Sequence, residues 1–323
     1  MEAPAFNPQN SPRYMEIPTF MRTPLRRDPA GLDVAMIGVP YDGGVTCRAG
    51  ARHGPREIRN QSSMCRGIHH VSRINPFEIC NVADVGDVGF SKIFDRVAVL
   101  ADIEGFYRGI FESGALPLTA GGDHSITYPI FRGIARHRPI GMIHIDAHTD
   151  TWAEWGGSRF HHGSPFRYAV EEGLLDPKRT IQIGIRGGQA VDDGWRYSAD
   201  SGMRVVFIDE FVELGVEKVI AEARRVVGDG PTYITFDVDG LDPVYAPGTG
   251  TPEIGGLTTR EAQQFLRGLR HLNLIGGDVV EVCPPFDPSG NTALVGATIM
   301  YEILCLLAEV VAARKPLSTS GLA

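Results

Sequence analysis

Three stretches of this chain place carboxylates and imidazoles where they could act together. LTAGGDHS carries Asp123 and His124 behind a glycine pair, HIDAHTDTW carries Asp146, His148 and Asp150, and TFDVDGLDP carries Asp237, Asp239 and Asp242. Each follows an apolar run with the character of a buried strand, and residues two apart on a strand face the same way. Asp146 and His148 are therefore expected to share one site, as are Asp237 and Asp239. Carboxylates gathered at one sheet edge repel and drive up one another's pKa values unless something positive neutralises them. Two divalent cations match the charge of Asp146, Asp150, Asp237 and Asp239, with His124 and His148 as neutral nitrogen ligands. Mixed carboxylate and imidazole ligation suits Mn²⁺, Fe²⁺, Ni²⁺ or Zn²⁺, whereas Ca²⁺ prefers oxygen throughout. A close pair of such metals lowers the pKa of a bridging water, so that hydroxide forms near neutral pH. A single strand-end aspartate is ordinarily a cap or a loop hydrogen-bonder. It is the joint pattern of GGDH, DxHxD and DxD that points to a metal centre.

The elements that must position these groups alternate along the chain. Candidate strands are VAMIGVP (34–40), EICNVADVG (78–86), ALPLTAGG (115–122), IGMIHIDAH (140–148), RTIQIGIR (179–186), RVVFIDEF (204–211), TYITFDVDG (232–240) and LIGGDVVEVCP (274–284). Several are near-continuous apolar runs, as expected for strands covered on both faces of a parallel sheet. Helical patterns lie between them: FDRVAVLADIEGFYRGIFESG, VEKVIAEARRVVG, TTREAQQFLRGLRHL with a Thr cap, and the almost wholly apolar NTALVGATIMYEILCLLAEVVAARK. Repeated strand–helix alternation means an α/β fold, either a barrel or an open sheet. Both place ligands at the carboxyl ends of the strands, where the charged clusters fall. With no repeat and no Gly/Ser linker, residues 33–323 read as a single catalytic domain. Residues 1–32, rich in Pro and Arg, read as an arm that wraps the domain or reaches a neighbouring subunit.

Composition narrows the partners. The 323 residues are 43% hydrophobic and 22% charged, with a net charge of −8, which is ordinary for a globular protein and argues against a nucleic-acid partner. Five scattered cysteines without a CxxC pair fit reduced thiols in the cytoplasm. The N-terminus lacks the apolar core of a secretory signal. The apolar run IMYEILCLLAEVVAA carries Glu302 and Glu309 and is too short and charged for a membrane span.

GGDHS, DAHTD and TFDVDGLDP, in this order and spacing and followed by APGTGTPEIGGLT (246–258), resemble the arginase/agmatinase ureohydrolase family over about residues 33–312. The resemblance implies a three-layer α-β-α fold with a mostly parallel eight-stranded sheet, assembled as trimers or hexamers. It also implies a binuclear centre, commonly two Mn²⁺ per subunit, with Ni²⁺ in some relatives. One metal would be held by His124, Asp146, Asp150 and Asp237, the other by His148, Asp146, Asp237 and Asp239. By the same resemblance Glu253 binds the guanidinium, Asp150 holds the hydroxide and moves its proton, and His162 shuttles protons. Only the motif prefers His162 to its neighbour His161. The reaction would release urea and an amine.

The substrate tail is expected to be read by the loop after Asp150, TWAEWGGSRFH. Glu154, Trp152 and Trp155 there suit an ammonium, Arg159 suits a carboxylate, and Phe160 completes the candidate wall. RAGARHGPREIR packs Arg48, Arg52, Arg56 and Arg59 together, either as an anion-binding wall or, more plainly, as a loop and helix paired to acids and carbonyls. Outside the metal motifs the chain looks most like bacterial guanidinopropionases and guanidinobutyrases. A small guanidino acid, 3-guanidinopropionate or 4-guanidinobutyrate, is therefore the first expectation, with agmatine or another small guanidine second. Two further alternatives are hydrolysis of a formimino or other C–N bond and a non-catalytic oligomeric binding protein.

Overall fold

A computed structural model describes residues 11–135 and 137–314. Its strands are β1 (Val34–Val39), β2 (Val82–Asp87), β3 (Leu116–Gly121), β4 (Ile140–Ile145), β5 (Leu175–Ile185), β6 (Arg204–Phe207), β7 (Thr232–Asp237) and β8 (Leu274–Val280). They form one sheet in the order β2-β1-β3-β8-β7-β4-β5-β6. Every strand pairing is parallel, so the expected eight-stranded sheet is present and is wholly, not mostly, parallel.

The helices are α1 (Gly54–Ser62), α2 (Pro76–Ile79), α3 (Arg96–Ser113), α4 (Thr127–Ile134), α5 (Pro165–Glu171), α6 (Gly194–Ser201), α7 (Ile208–Leu214), α8 (Val216–Val227), α9 (Thr259–Arg267) and α10 (Asn291–Arg314). Two apolar cores sandwich the sheet. One joins α1, α8, α9 and α10 to it through Ile58, Val219, Phe265 and Ile303. The other joins α3, α4 and α5 through Ile103, Phe131 and Phe166. Strand burial on both faces explains the unbroken apolar runs. The open sheet, covered on both sides, rules out the barrel.

Local chemistry sets the boundaries. Asp95 caps α3 by accepting from Val97 N and Ala98 N, and Gly114 ends it in the left-handed conformation. Thr258 and Glu261 form a reciprocal capping box on α9. Two expected strands give up part of their length to helices. Residues 76–79 form α2, begun by Pro76 and the Asn75 cap. Residues 208–214 form α7, with Asp209 and Glu210 in its first turn, where they favour the positive end of the helix dipole.

The edge strand β2 is covered by the N-terminal segment. Arg26 N donates to Asp84 O and Asp84 N to Pro24 O, which pairs groups that an exposed edge would leave open. The apolar helix α10 is buried against the sheet. Its Glu302 accepts from Arg267 Nε at 3.0 Å, so a charge unsuited to lipid serves inside the fold.

Candidate active site

The four adjacent strands β3, β8, β7 and β4 deliver their carboxyl ends to one place, beside the gap the chain leaves on passing from β3 to β4. Such a switch in strand order opens a crevice above the sheet. His124 stands in the turn after β3, Asp146 directly after β4, and Asp237 closes β7. His124 Nδ1 lies 3.0 Å from Asp146 Oδ2, 3.0 Å from Asp150 Oδ2 and 3.3 Å from Asp237 Oδ2. His148 Nδ1 lies 3.2 Å from Asp239 Oδ2 and 3.4 Å from Asp146 Oδ1. The six expected ligands thus come together, and Asp146 faces both imidazoles.

Strand alternation is not what unites them. β4 stops at Ile145 and β7 at Asp237, so His148 and Asp239 lie beyond the pleat. Turns fold them back: His148 N donates to Asp146 Oδ1 at 2.6 Å, and Asp239 N to Asp237 Oδ1 at 2.8 Å. Asp150 adopts φ 51°, a left-handed backbone uncommon away from glycine. Gly187 makes room for the imidazole, since a Cβ there would collide with His148 Cδ2.

Whether these residues fit a cation can be read from His124. Thr235 Oγ1 donates to Asp278 Oδ1 at 2.6 Å, so it accepts from His124 Nε2 at 2.8 Å. That leaves Nδ1 as the unprotonated nitrogen of the neutral ring. It is buried, finds no hydrogen-bond partner among the described residues, and points a lone pair at three carboxylates. Acceptors meeting acceptors in a buried site need a cation between them. Burial and the nearby Asp239 and Asp146 push Asp237 well above the usual carboxylate range. Burial and Asp146 likewise raise Asp239 to about 6. Burial disfavours a charged His124, yet Asp146, Asp150 and Asp237 outweigh it and raise its pKa. A proton can therefore take the place that the donor set suits to a transition metal.

Two residues outside the expected set complete the cluster. His144 donates from Nε2 to Asp146 Oδ2 at 2.7 Å, while Gln182 Nε2 donates to His144 Nδ1 at 3.1 Å. This chain fixes the His144 tautomer and the orientation of Asp146. Glu281, just past β8, accepts from His124 N at 2.9 Å and meets His162 Nδ1 at 2.9 Å through the same Oε1. Its Oε2 is buried with no hydrogen-bond partner among the described residues, and its backbone sits at φ 61°. The clues were present: His144 precedes Asp146 by two residues in HIDAHTD, and Glu281 ends the strand DVVEVCP. Only the sheet order shows that β8 lies between β3 and β7.

The structure separates the two adjacent histidines. His161 Nε2 faces Ala153 O at 3.0 Å, and burial lowers its pKa. His162 faces Glu281 instead. Burial opposes its charge, but Glu281 prevails and raises it to about 9. Thr46 N donates to His162 Nε2 at 3.2 Å, so a second proton can settle there only when the ring moves off that donor.

The cluster opens into a cleft of about 350 Å³, whose wall includes His148, Asp150, Trp152, His162, Thr251 and Glu253. Glu253 stands at the rim with its side chain 38% exposed and Oε1 3.7 Å from His148 Nε2. Its backbone is held from below by Arg186, whose Nη2 donates to Glu253 O and Asp239 O, both at 2.7 Å. A larger groove of about 1180 Å³ lies beside the N-terminal segment, away from the cluster.

Of the five loop residues expected to read the substrate, Trp152 alone lines the cleft, and Glu154 is exposed. Trp155 is 56% exposed. Arg159 stacks over Tyr168 at 4.1 Å and pairs with Glu171 at 3.3 Å, drawn off by the acid on α5. Phe160 packs on Tyr128 at 5.8 Å. Arg96 clamps the loop by donating to Ser158 Oγ, Phe160 O and Gly43 O. The loop's arginine is therefore held away from the cleft.

Comparison with known proteins bears on the family and the fold. Residues 32–306 match the model of the arginase family. The chain is 60% identical to a guanidinopropionase from Pseudomonas aeruginosa over 92% of this chain and 94% of that protein. It is 46% identical to a mitochondrial agmatinase from Gallus gallus, covering 94% and 91%. Among solved structures, the proclavaminate amidinohydrolase of Streptomyces clavuligerus superposes with a TM-score of 0.89 at 41% identity, covering 93% of this chain and 100% of that one.

Proposed function

The chain belongs to the arginase family, and from that premise we propose that it hydrolyses the guanidino group of a small guanidino acid, 3-guanidinopropionate or 4-guanidinobutyrate, to urea and an amino acid. The observation that carries this reading is the bare, buried His124 Nδ1 ringed by Asp146, Asp150 and Asp237 at the foot of a cleft that also holds His162 and Glu253. Resemblance to the guanidinopropionase supports the acid as substrate.

His124, Asp146, Asp150 and Asp237 would hold one cation and His148, Asp146, Asp237 and Asp239 the other, Mn²⁺ first and Ni²⁺ second. When bound, the two cations supply water that ionises near neutral pH and the positive charge this carboxylate cluster lacks. The remaining work falls to side chains. A guanidinium is a planar, resonance-stabilised cation, so it needs anionic partners that orient its face. Glu253 offers one at the rim. Glu281, with Oε2 free and buried, offers a better shielded one beside His162. Asp150, which borders both cluster and cleft, is placed to take the attacking water's proton and pass it to the leaving nitrogen. His162, held by Glu281, exchanges protons with the departing amine.

Agmatine is the second reading, because Glu253 and Trp152 give the cleft a carboxylate and an aromatic face for an ammonium. A homo-oligomer, a cytoplasmic location, and a 1–32 arm before a 33–323 catalytic domain complete the proposal; free cysteines support the compartment. The test is urea release by Mn²⁺- and Ni²⁺-loaded protein from agmatine, arginine, guanidinoacetate, 3-guanidinopropionate, 4-guanidinobutyrate and guanidine. The guanidino acids are expected to turn over fastest. Activity confined to agmatine would replace the first reading by the second, and formamide in place of urea from a formimino substrate would remove both.

A further inference from the structure

Both ring nitrogens of His162, the proton carrier of the reaction proposed above, are already partnered. On one side Glu281 Oε1 accepts from Nδ1 at 2.9 Å. On the other, Nε2 accepts from Thr46 N at 3.2 Å and lies 2.7 Å from Thr46 Oγ1. His162 is only 8% exposed, whereas Thr46 is exposed and shares the cleft wall with it. A proton that leaves Nε2 for the cleft therefore meets Thr46 first.

This grip is built into the fold. His162 N donates to Gly44 O at 3.0 Å, so segment 44–46 holds the histidine by its backbone as well as its ring. Gly44 N donates to Asp123 Oδ2 at 2.6 Å, and Gly50 N to Asp42 Oδ2 at 2.7 Å, which pins the loop on both sides of Thr46. A Cβ at Gly44 would fall 2.7 Å from Ser125 Oγ, so the loop lies close on the turn after β3. The two donors of Thr46 act differently on the ring. An amide N–H can only donate, so it suits a bare Nε2 and resists a protonated one. A hydroxyl donates to the bare nitrogen and, turned about its C–O bond, accepts from the protonated one. Glu281 pulls the other way and favours the imidazolium. Nε2 is thus poised to gain a proton and to give it up, and the hydroxyl can follow both states.

We propose that Thr46 is a catalytic residue whose hydroxyl relays the proton from His162 to the departing amine. This rests on the reading of the chain as a hydrolase of the guanidino group and deepens it. The lone pair of the amine takes the Thr46 Oγ1 proton, and Oγ1 takes the His162 Nε2 proton in the same step. Thr46 ends as it began, and the imidazole is left neutral with its Nδ1 proton still on Glu281. The amine leaves as an ammonium ion, without a lone pair that could attack urea again. The ring need only tilt off the Thr46 amide, because the proton's acceptor is already within hydrogen-bond distance.

The experiment compares full-length, metal-loaded wild type with Thr46→Val, Thr46→Ser, His162→Ala and the double variant Thr46→Val/His162→Ala. Urea release is measured from 3-guanidinopropionate, 4-guanidinobutyrate and agmatine. Valine keeps the shape and the amide donor and removes only the hydroxyl. For Thr46→Val, kcat is expected to fall about 10- to 100-fold, less than for His162→Ala because an entering water carries part of the proton traffic. KM and metal content should stay near wild type, and the factor should be the same for every substrate that wild type turns over. Thr46→Ser should recover most of the loss. The double variant should be no slower than His162→Ala, since two members of one path fail together. Losses that multiply in the double variant would show independent roles and overturn the relay. So would a Thr46→Val kcat equal to wild type, a rise in KM alone, or a serine variant as slow as the valine one. Those results leave the hydrolase reading standing, whereas a wild type that releases urea from none of the three guanidines overturns both.

Discussion

Two buried groups of carboxylates in this protein have opposite fates. Asp84, on β2, is fully buried and fully satisfied. It accepts from Phe20 N at 3.0 Å, Gly86 N at 2.8 Å, and Arg59 Nε and Nη2 at 2.7 and 3.0 Å. Asp146, Asp237 and Asp239 are buried equally well, yet they face one another and two imidazoles, and among the described residues no Lys or Arg pairs with them. A buried charge must be compensated or neutralised. Where the compensation is a fixed arginine, the carboxylate pins the fold. Where the chain supplies none, a mobile cation is invited, and its chemistry comes with it.

The sharpest way to break the contrast is Asp237→Asn. It removes a charge from the uncompensated group, so turnover should fall beyond the roughly 100-fold typical of losing an outer partner of a ligand. Metal content should fall as well. The chelated protein should be no less stable than chelated wild type, because like-charge repulsion has been relieved. Metal analysis, urea release and denaturant midpoints read the three quantities. His162→Ala is the companion: activity should drop about 10²- to 10⁴-fold, the range for a proton-transfer group, with metal content kept. Equal metal loss in both variants would merge the roles that are separated here.

Arg59→Met tests the compensated group. It leaves Asp84 buried without its cation, which costs about 3–5 kcal/mol of stability. Activity per folded molecule should hold, since Arg59 also lies over Phe20 at 4.1 Å and ties the N-terminal segment to β2, away from the cleft. A denaturant midpoint near wild type would mean that Asp84 is not the pin described.

Both groups are aspartates on apolar strands, so residue type alone could not sort them. What the sequence did show was repetition: DxHxD, DxD and GGDH at three strand ends is more acid than caps require. The α/β class followed from alternation for the same reason, since each element carries its own periodicity. Glu281 and His144 went unread because their meaning is non-local. Glu281 matters only once β8 is known to lie between β3 and β7, and strand order is a property of long-range pairing. The specificity loop misled in the same way. Arg159 looks like an anion reader until Glu171 and Tyr168 are seen to claim it.

His144→Ala probes the boundary between the two groups, and the smallest effect is expected there. His144 is a fixed donor, as Arg59 is, but its acceptor is Asp146, which belongs to the uncompensated set. Removing it frees Asp146 Oδ2 to turn, without taking away a cation ligand or the charge that draws one. Metal affinity should fall about 10- to 100-fold. Activity measured at saturating metal should return most of the way to wild type. A purely packing role predicts otherwise: His144 sits against Phe166 at 4.6 Å, and a cavity there would lower stability without a response to metal. Titrating Mn²⁺ against urea release in wild type and variant separates the two. A shifted half-saturation point with a recovered plateau supports the orienting role, and a lowered plateau with an unshifted midpoint removes it.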